Sequence, residues 1–423
     1  MSKHWCGVIM FVLLLSCKKN YEAPVPETNW DLFESSAAIT LSNTTRSKIE
    51  GIYLINEGQN VFGVDAALKW SYTINGGDTT YQLSMFCEKQ VTYAILEGKR
   101  LDSNILLNGY WRSMLDTETG VVRLTISAGS GARALLTASA GTPVTGINIS
   151  GTYGSGQDEP IDSLSLQYSR PLYTATPFEI VAHRGGGRTS DLLPASENSV
   201  EIIKMASGFG ATGIEIDVRL TSDGVPVLYH DATLNERLII KNGMIGPIEN
   251  YTYAQLKALV RLVKGEQIPT LQEALDVVLY NTSLRYVWLD TKFEGSMQLL
   301  RNIQIEYQQK AAASGRDVTI DIGIPDKDVL KNFKMLPDYR NIPSVCELTP
   351  EDVADVNASV WAPRWTLGLQ TPEIELMHQA GRKAFVWTLD VPQNISKYFK
   401  EGKFDGILSN YPSSVAYYYY AKQ

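Results

Sequence analysis

Histidine and cysteine are scarce, each occurring four times in 423 residues. A site built on several imidazoles must therefore use most of those present. Four cysteines, two near the start and Cys87 and Cys346 far apart, give no disulfide framework of the kind that holds small secreted domains. The last two read as buried thiols. Basic residues are also in deficit: 38 Lys and Arg against 46 Asp and Glu leave a net charge of −8. That excludes a general nucleic-acid binder, which needs a positive field. An anionic substrate would need a local positive centre, either a bound cation or placed Arg and Lys. No apolar run reaches the about 20 residues of a membrane-spanning helix. Long polar tracts are missing too, and 44% hydrophobic residues suit globular packing. The length exceeds one ordinary domain and predicts two folded units.

What is present begins with a targeting segment. Lys3 precedes an apolar run, residues 5–15, whose length of about 11 fits the core of a secretory signal. It ends in Leu14-Leu15-Ser16-Cys17, which resembles the lipobox of bacterial lipoproteins. The resemblance implies removal of residues 1–16 and lipidation of Cys17. The protein would then be exported and anchored on the periplasmic or cell-surface side of a membrane. An ordinary signal peptide with an incidental Cys is the alternative. Residues 17–45 read as a tether.

From Lys48 to Tyr168, short runs of β-branched and aromatic residues alternate with turn signals. Residues 70–74 lead through Asn75-Gly76-Gly77 into 81–86, which predicts a hairpin. Further strands are expected at 91–96, 105–112, 121–126 and 134–137. The pattern predicts an all-β sandwich or small barrel over residues 46–170. This part contains no histidine, and its aromatics fit a core better than a sugar or lipid site. The Gly/Ser/Asp-rich stretch 150–158 is expected to mark the approach to the domain boundary.

From about Thr176 apolar strand-like runs alternate with helix-length amphipathic segments. Strands are expected at 179–183, 213–218, 225–230, 286–290, 318–322, 344–347, 360–362, 385–388 and 406–408. Helices are expected at 271–279, 297–313 and 372–380. Alternating β and α units predict parallel strands. The block 176–423 is close to the about 250 residues of an α/β TIM (β/α)8 barrel. One of the nine strands is expected to lie outside the barrel.

Chemistry gathers where these runs end. One ends in His183-Arg184-Gly185-Gly186-Gly187, another carries Glu215-Ile216-Asp217, and two more end in His230-Asp231 and Asp290-Thr291-Lys292. In such a barrel the C-terminal strand ends form the active-site face. Glu215 and Asp217, two apart on a strand, share one face at about 7 Å between Cα atoms. With Asp290 they offer hard oxygen ligands suited to Ca²⁺ or Mg²⁺. His183 and His230 are placed to act as acid and base around a phosphorus. Arg184 and Lys292 supply positive charge for a phosphodiester, and Asp231 reads as a structural acceptor. Singly, each group has an ordinary structural explanation; together at strand ends they point to an enzyme.

Val181-Ala182-His183-Arg184-Gly185-Gly186, Glu197-Asn198-Ser199, residues 213–218 and the run Asp223-Gly224 to His230-Asp231 resemble the glycerophosphodiester phosphodiesterase family. Later landmarks agree: Ile268-Pro269-Thr270-Leu271, Val386-Trp387-Thr388 and Asp405-Gly406-Ile407. The resemblance covers about residues 178–415 and leaves out the β-rich part. It implies metal-dependent hydrolysis of glycerophosphodiesters to sn-glycerol 3-phosphate and an alcohol, with the glycerol 2-hydroxyl as nucleophile and a cyclic phosphate between. It also implies His183 and His230 as acid and base, Glu215 and Asp217 as metal ligands, and Arg184 and Glu197 near the substrate. Two departures stand out. Asp290 replaces the family's usual Glu, and Asn410 stands where Asp is common and is given no catalytic role.

Related sphingomyelinase D-like lipases use a Glu/Asp/Asp ligand set, so phospholipase D-like action on intact lipid headgroups is an alternative. The run 417–420, four tyrosines, could serve it but reads better as helix packing. A non-catalytic surface binding protein is a further alternative, disfavoured because both histidines and the Glu-x-Asp pair are present. Partners expected are a small phosphodiester and a membrane reached through the anchor, with no nucleic acid. Nothing in the sequence specifies an oligomeric state.

Overall fold

The computed structural model describes residues 24–422 except Gln90, Asp116 and Thr117. The expected signal segment 1–16 and the expected lipidation site Cys17 lie outside the described residues. Among the described residues no helix is long and apolar enough to cross a membrane.

Eight strands form the first unit: β1 (Gly51–Glu57), β2 (Asp65–Asn75), β3 (Asp78–Cys87), β4 (Thr92–Leu101), β5 (Asn104–Ser113), β6 (Thr119–Ile126), β7 (Asn148–Tyr153) and β8 (Asp162–Arg170). Each pairs antiparallel with the next, and β8 returns to β1, so the sheet closes as a barrel, not a sandwich. Closure leaves no open edge between β1 and β8. The expected hairpin is β2–β3; its two-residue turn, Gly76-Gly77, has φ of 58° and 97°. Both values need the left-handed region, which glycine occupies without a Cβ clash. Gly109 serves a different need: a Cβ there would lie 2.0 Å from the Ile95 carbonyl oxygen, so only glycine permits this approach of β5 to β4. Alternate residues such as Leu83, Met85, Leu96, Leu107 and Trp111 fill the interior. This leaves the aromatics Phe62, Trp111 and Tyr153 packed edge to face in a core.

Three sequence expectations change here. Residues 134–137 are helical, within Ala132–Thr137, where Ala, Arg and Leu favour helix and Ala132 and Leu135 are buried. The stretch 150–158 does not mark the boundary: it is β7 and the turn leading into β8. The tether expected over 17–45 is, from Asp31 onward, ordered structure. Helix Asp31–Glu34 buries Phe33, Ile39–Thr40 pairs with β4, and helix Asn43–Ile49 follows.

The second unit is a (β/α)8 barrel of β9 (Glu179–Ala182), β10 (Gly213–Leu220), β11 (Tyr286–Thr291), β12 (Thr319–Ile324), β13 (Ser344–Cys346), β14 (Val360–Trp361), β15 (Lys383–Val386) and β16 (Gly406–Ser409). All are parallel neighbours, and β9 pairs with both β10 and β16 to close the ring. Val181, Trp288, Val345, Phe385 and Leu408 belong to the buried cluster inside it. The extra strand is Pro226–Leu228, which pairs antiparallel with β10. The chain reverses at once through the Thr221–Gly224 turn, and so short a connection allows only an antiparallel return.

The two barrels share a core. Phe86, Tyr93 and Met114 from the first pack in one cluster with Phe209 and Tyr420 of the second. Phe86 stacks on Tyr420 with centroids 6.5 Å apart, and the Tyr417 hydroxyl donates to Asp65 Oδ1 at 2.5 Å. The tyrosine run thus packs helix Pro412–Tyr420 against the first barrel.

Candidate active site

Inward alternation along the barrel strands builds the site. Continuing two residues beyond each interior side chain takes β9 from Val181 to His183, β11 from Trp288 to Asp290, β13 from Val345 to Glu347, and β16 from Leu408 to Asn410. Glu215 and Asp217 project from β10, and Asp217 lies directly across from Asp290 in register. A cavity of 230 Å³ opens among His183, Arg184, Glu215, His230, Asp290 and Lys292, walled by Trp288, Glu347, Arg364 and Trp387.

His230 reaches this cavity from the antiparallel hairpin, not from a barrel strand as its run suggested. Pairing of Val218 with Leu228, and the Tyr229 amide bonded to the Asp217 carbonyl at 3.0 Å, carry it beside the carboxylates. Arg219 holds it there by donating Nε and Nη2 to the His230 carbonyl.

Each imidazole has one nitrogen committed. His230 Nδ1 lies 2.8 Å from Asp231 Oδ1, and Asp231 is in turn gripped by Arg237 and Asn235. Burial raises the Asp231 carboxyl, but bonds from Arg237, His230 and Asn235 outweigh it and hold it below the usual carboxylate range. His183 Nδ1 lies 2.7 Å from Asn410 Oδ1, while the Asn410 amide nitrogen donates to Asp390 at 2.7 Å. With that amide nitrogen engaged, Asn410 presents an acceptor, so His183 carries its proton on Nδ1. Nε2 is left free, 3.7 Å from Glu215 Oε2. Burial and the adjacent Arg184 charge push the His183 imidazole down to about 4.

Glu215, Asp217 and Asp290 offer oxygens that all lie within 4.8 Å of one another. Each has a buried oxygen without a hydrogen-bond partner: Glu215 Oε1, Asp217 Oδ1 and Asp290 Oδ1. Burial and the charges of Asp217 and Asp290 push the Glu215 carboxyl well above its ordinary range. Three facing carboxylates with three idle oxygens are what a hard divalent cation relieves, so the residues fit such an ion. The shorter Asp290 still reaches the group. Asn198 orients Asp217 through a bond to Oδ2 at 2.7 Å. Lys292 lies 2.5 Å from Asp290 Oδ2 and 3.4 Å from Asp217 Oδ1.

Arg184 sits in the left-handed region, φ 53°, which turns its amide to Glu215 at 2.8 Å and its side chain into the cavity wall. Glu197, grouped above with the substrate-side residues, faces away from that task. Its oxygens accept from Arg184, Arg237 and the Thr189 amide, so it is an anchor for arginines, and its negative charge would repel a phosphate. Arg237, Asn198, Arg219 and Asn410 take part in the site through contacts that no local motif marks. Glu347 and Arg364 join the cavity wall in the same way, the guanidinium of Arg364 lying 4.7 Å above the Trp387 ring. The signal available for Asn410 and Glu347 was the two-residue alternation of their strands.

Comparison with known proteins places the site in a family. The model of the glycerophosphoryl diester phosphodiesterase family matches residues 183–414. Glycerophosphodiester phosphodiesterase 1 of Rattus norvegicus is 34% identical over 162 residues, which are 36% of this chain and 45% of that protein. The chain therefore spans less than half the length of that relative. A glycerophosphodiester phosphodiesterase of Caldanaerobacter subterraneus is 26% identical over 270 residues, 56% of this chain and 95% of that protein. A solved glycerophosphodiester phosphodiesterase of Parabacteroides distasonis superposes with a TM-score of 0.45 at 24% identity, covering 57% of this chain and 96% of that one. The family match takes in more than half of the sequence and every residue of the cavity described above, and the chain belongs to the glycerophosphoryl diester phosphodiesterase family.

Proposed function

We propose that the second barrel hydrolyses glycerophosphodiesters to sn-glycerol 3-phosphate and an alcohol, with a divalent cation, Ca²⁺ or Mg²⁺, held by Glu215, Asp217 and Asp290. The observation that carries this reading is the pair of imidazoles, each with Nδ1 committed, on a cavity beside a cluster of three carboxylates with idle oxygens. When bound, the cation supplies positive charge to the phosphodiester oxygens and to the attacking hydroxyl.

The chain's own residues divide the rest. Burial and the adjacent Arg184 charge disfavour an imidazolium at His183; this ring is the base and takes the proton of the attacking oxygen at Nε2. His230, held in orientation by the Asp231 carboxylate at Nδ1, is the acid and protonates the departing alcohol. Arg184 and Lys292 bind the phosphate, and Asn198, Glu197 and Arg237 hold ligand and arginine in place. A cavity of 230 Å³ is small beside the roughly 300–1,000 Å³ of drug-sized sites, which suits a compact headgroup.

The test is release of sn-glycerol 3-phosphate from glycerophosphocholine or glycerophosphoethanolamine. His183→Ala and His230→Ala are each expected to lower kcat by about 10²–10⁴-fold; undiminished turnover in either contradicts the roles given. The lipobox-like Leu14 to Cys17 supports, within the same proposal, an exported chain anchored through Cys17. Cys17→Ser should then move the protein from the membrane to the soluble fraction.

A further inference from the structure

The hairpin that delivers His230 continues into an insertion, residues 232–265, before the helix Leu271–Asn281. Its inner side is a small core of Leu234, Ile239, Ile248, Leu256 and Leu262. Its outer side leaves three aliphatic residues in solvent: Ile240 is 49% exposed, Ile245 76% and Leu259 60%. The Ile240 amide bonds to the Arg261 carbonyl, and the Asn242 side chain to the Leu259 carbonyl, so these stretches run side by side. Ile239 beside Ile240 and Val260 beside Leu259 are buried, so this core is filled by their neighbours while the three side chains stay outside it. Clustered exposed aliphatics on a soluble fold mark a contact surface.

Charge indicates the kind of contact. The chain as a whole carries −8, yet residues 232–265 hold five Lys and Arg against two Glu. Arg237 is engaged inside the site; Lys257 and Lys241, the latter 2.9 Å from the exposed Glu236 carboxylate, stand in solvent on the same stretch as the aliphatics. A second apolar group lies on loops at the C-terminal ends of two other barrel strands. Trp365 and Leu367 follow β14, Val391 follows β15, and the three are 38%, 59% and 48% exposed. Their loops flank Arg364 and Trp387 of the cavity wall. Apolar side chains beside lysines, on the insertion that directly follows His230 of the cavity, match the layering of a lipid surface, with anionic headgroups outside and hydrocarbon beneath.

We propose that this rim, led by Ile240, Ile245, Leu259, Lys241 and Lys257, docks on an anionic phospholipid surface and holds the cavity mouth at headgroup level. The docking is separate from the expected anchor at Cys17 and does not depend on which diester is cleaved.

The experiment uses the chain from Pro24 onward, which keeps both barrels and every described element while removing the lipidation site. Co-sedimentation is measured with vesicles of phosphatidylcholine alone and with added phosphatidylglycerol. The expected result is binding to the anionic vesicles that weakens with salt. It should be at least about tenfold weaker in Ile240→Ser/Ile245→Ser/Leu259→Ser and in Lys241→Glu/Lys257→Glu, given about fivefold per lysine near such a surface. Both variants change only exposed side chains and should keep the melting temperature and turnover of a soluble diester. Absence of binding by the parent chain, or equal binding by both variants, overturns the proposal. So does a concentration-dependent dimer in ultracentrifugation that the aliphatic variant abolishes, which would assign the surface to a second copy. Binding is read without turnover, so a failure here is distinct from failure of the proposed hydrolysis.

Discussion

Asn410 sets the state of His183 through one hydrogen bond. Its amide nitrogen is committed to Asp390, which leaves an acceptor for the His183 Nδ1 proton. Asn410→Leu keeps a side chain of similar size and frees the ring. We expect kcat on a soluble diester to fall by about 10- to 100-fold with KM little changed and the fold intact; an unaltered kcat would remove Asn410 from the machinery. The residues that were legible in the sequence are those whose chemistry is local. His183-Arg184, Glu215-x-Asp217 and His230-Asp231 each bring functional groups to a strand end within two or three positions. Asn410 was visible as a departure from the family pattern, but its partner lies 227 residues away and its meaning is the hydrogen bond, which no spacing encodes. Arg237 was hidden for the same reason: it touches Asp231 and Glu197 only because the hairpin folds over the loop after β9.

Among the elements, β12 carries a buried charge remote from the chemistry. Asp321 is 1% exposed, accepts from the Tyr286 hydroxyl at 3.0 Å, and has one oxygen with no partner. Burial pushes its carboxyl up to about 6, against the Tyr286 bond and the Lys383 charge. Because the folded value lies above the unfolded one, the unfolded chain gives up this proton first as pH rises. Stability is then unaffected below about pH 4, falls between pH 4 and 6, and carries a constant deficit above that. The deficit is of order 3 kcal/mol for a shift of this size. Asp321→Asn keeps an acceptor for Tyr286 and should raise the melting temperature at pH 8 but not at pH 4. An equal effect at both pH values would contradict the buried charge. Elements whose sequence shows a clear period were legible: the eight parallel strands and the helices Leu271–Asn281 and Gln298–Ala313 fall where apolar periodicity places them. The run 225–230 also reads as a strand, but its direction is set by the turn before it and not by its own residues. The helix Ala132–Thr137 is too short for its period to separate it from a strand.

At the scale of the molecule, the closed antiparallel barrel is fused to the (β/α)8 barrel through a shared core. Phe86 and Tyr93 lie on the surface shared with Tyr420 and Phe209, and buried Arg112 donates to the Leu192 carbonyl in the loop that carries Glu197. A shared core predicts one cooperative unfolding transition for both barrels. Phe86→Ala, which opens that core, should cost about 3–5 kcal/mol and lower the single transition as a whole. Two resolved transitions in calorimetry would show the barrels to be independent. Two-barrel organisation was legible from the change of texture near residue 176. The interface was not, because the faces that meet belong to strands and helices whose apolar content also fits an isolated domain.

We propose above that a cation held by Glu215, Asp217 and Asp290 serves a histidine pair in cleaving glycerophosphodiesters. It is tested most directly by product analysis of the purified chain on glycerophosphocholine after chelation and after return of Ca²⁺ or Mg²⁺. The expected result is no turnover after chelation, recovery of sn-glycerol 3-phosphate and choline on return of the ion, and no recovery in Glu215→Gln. Turnover that survives chelation and Glu215→Gln, or phosphocholine as the product, would contradict it.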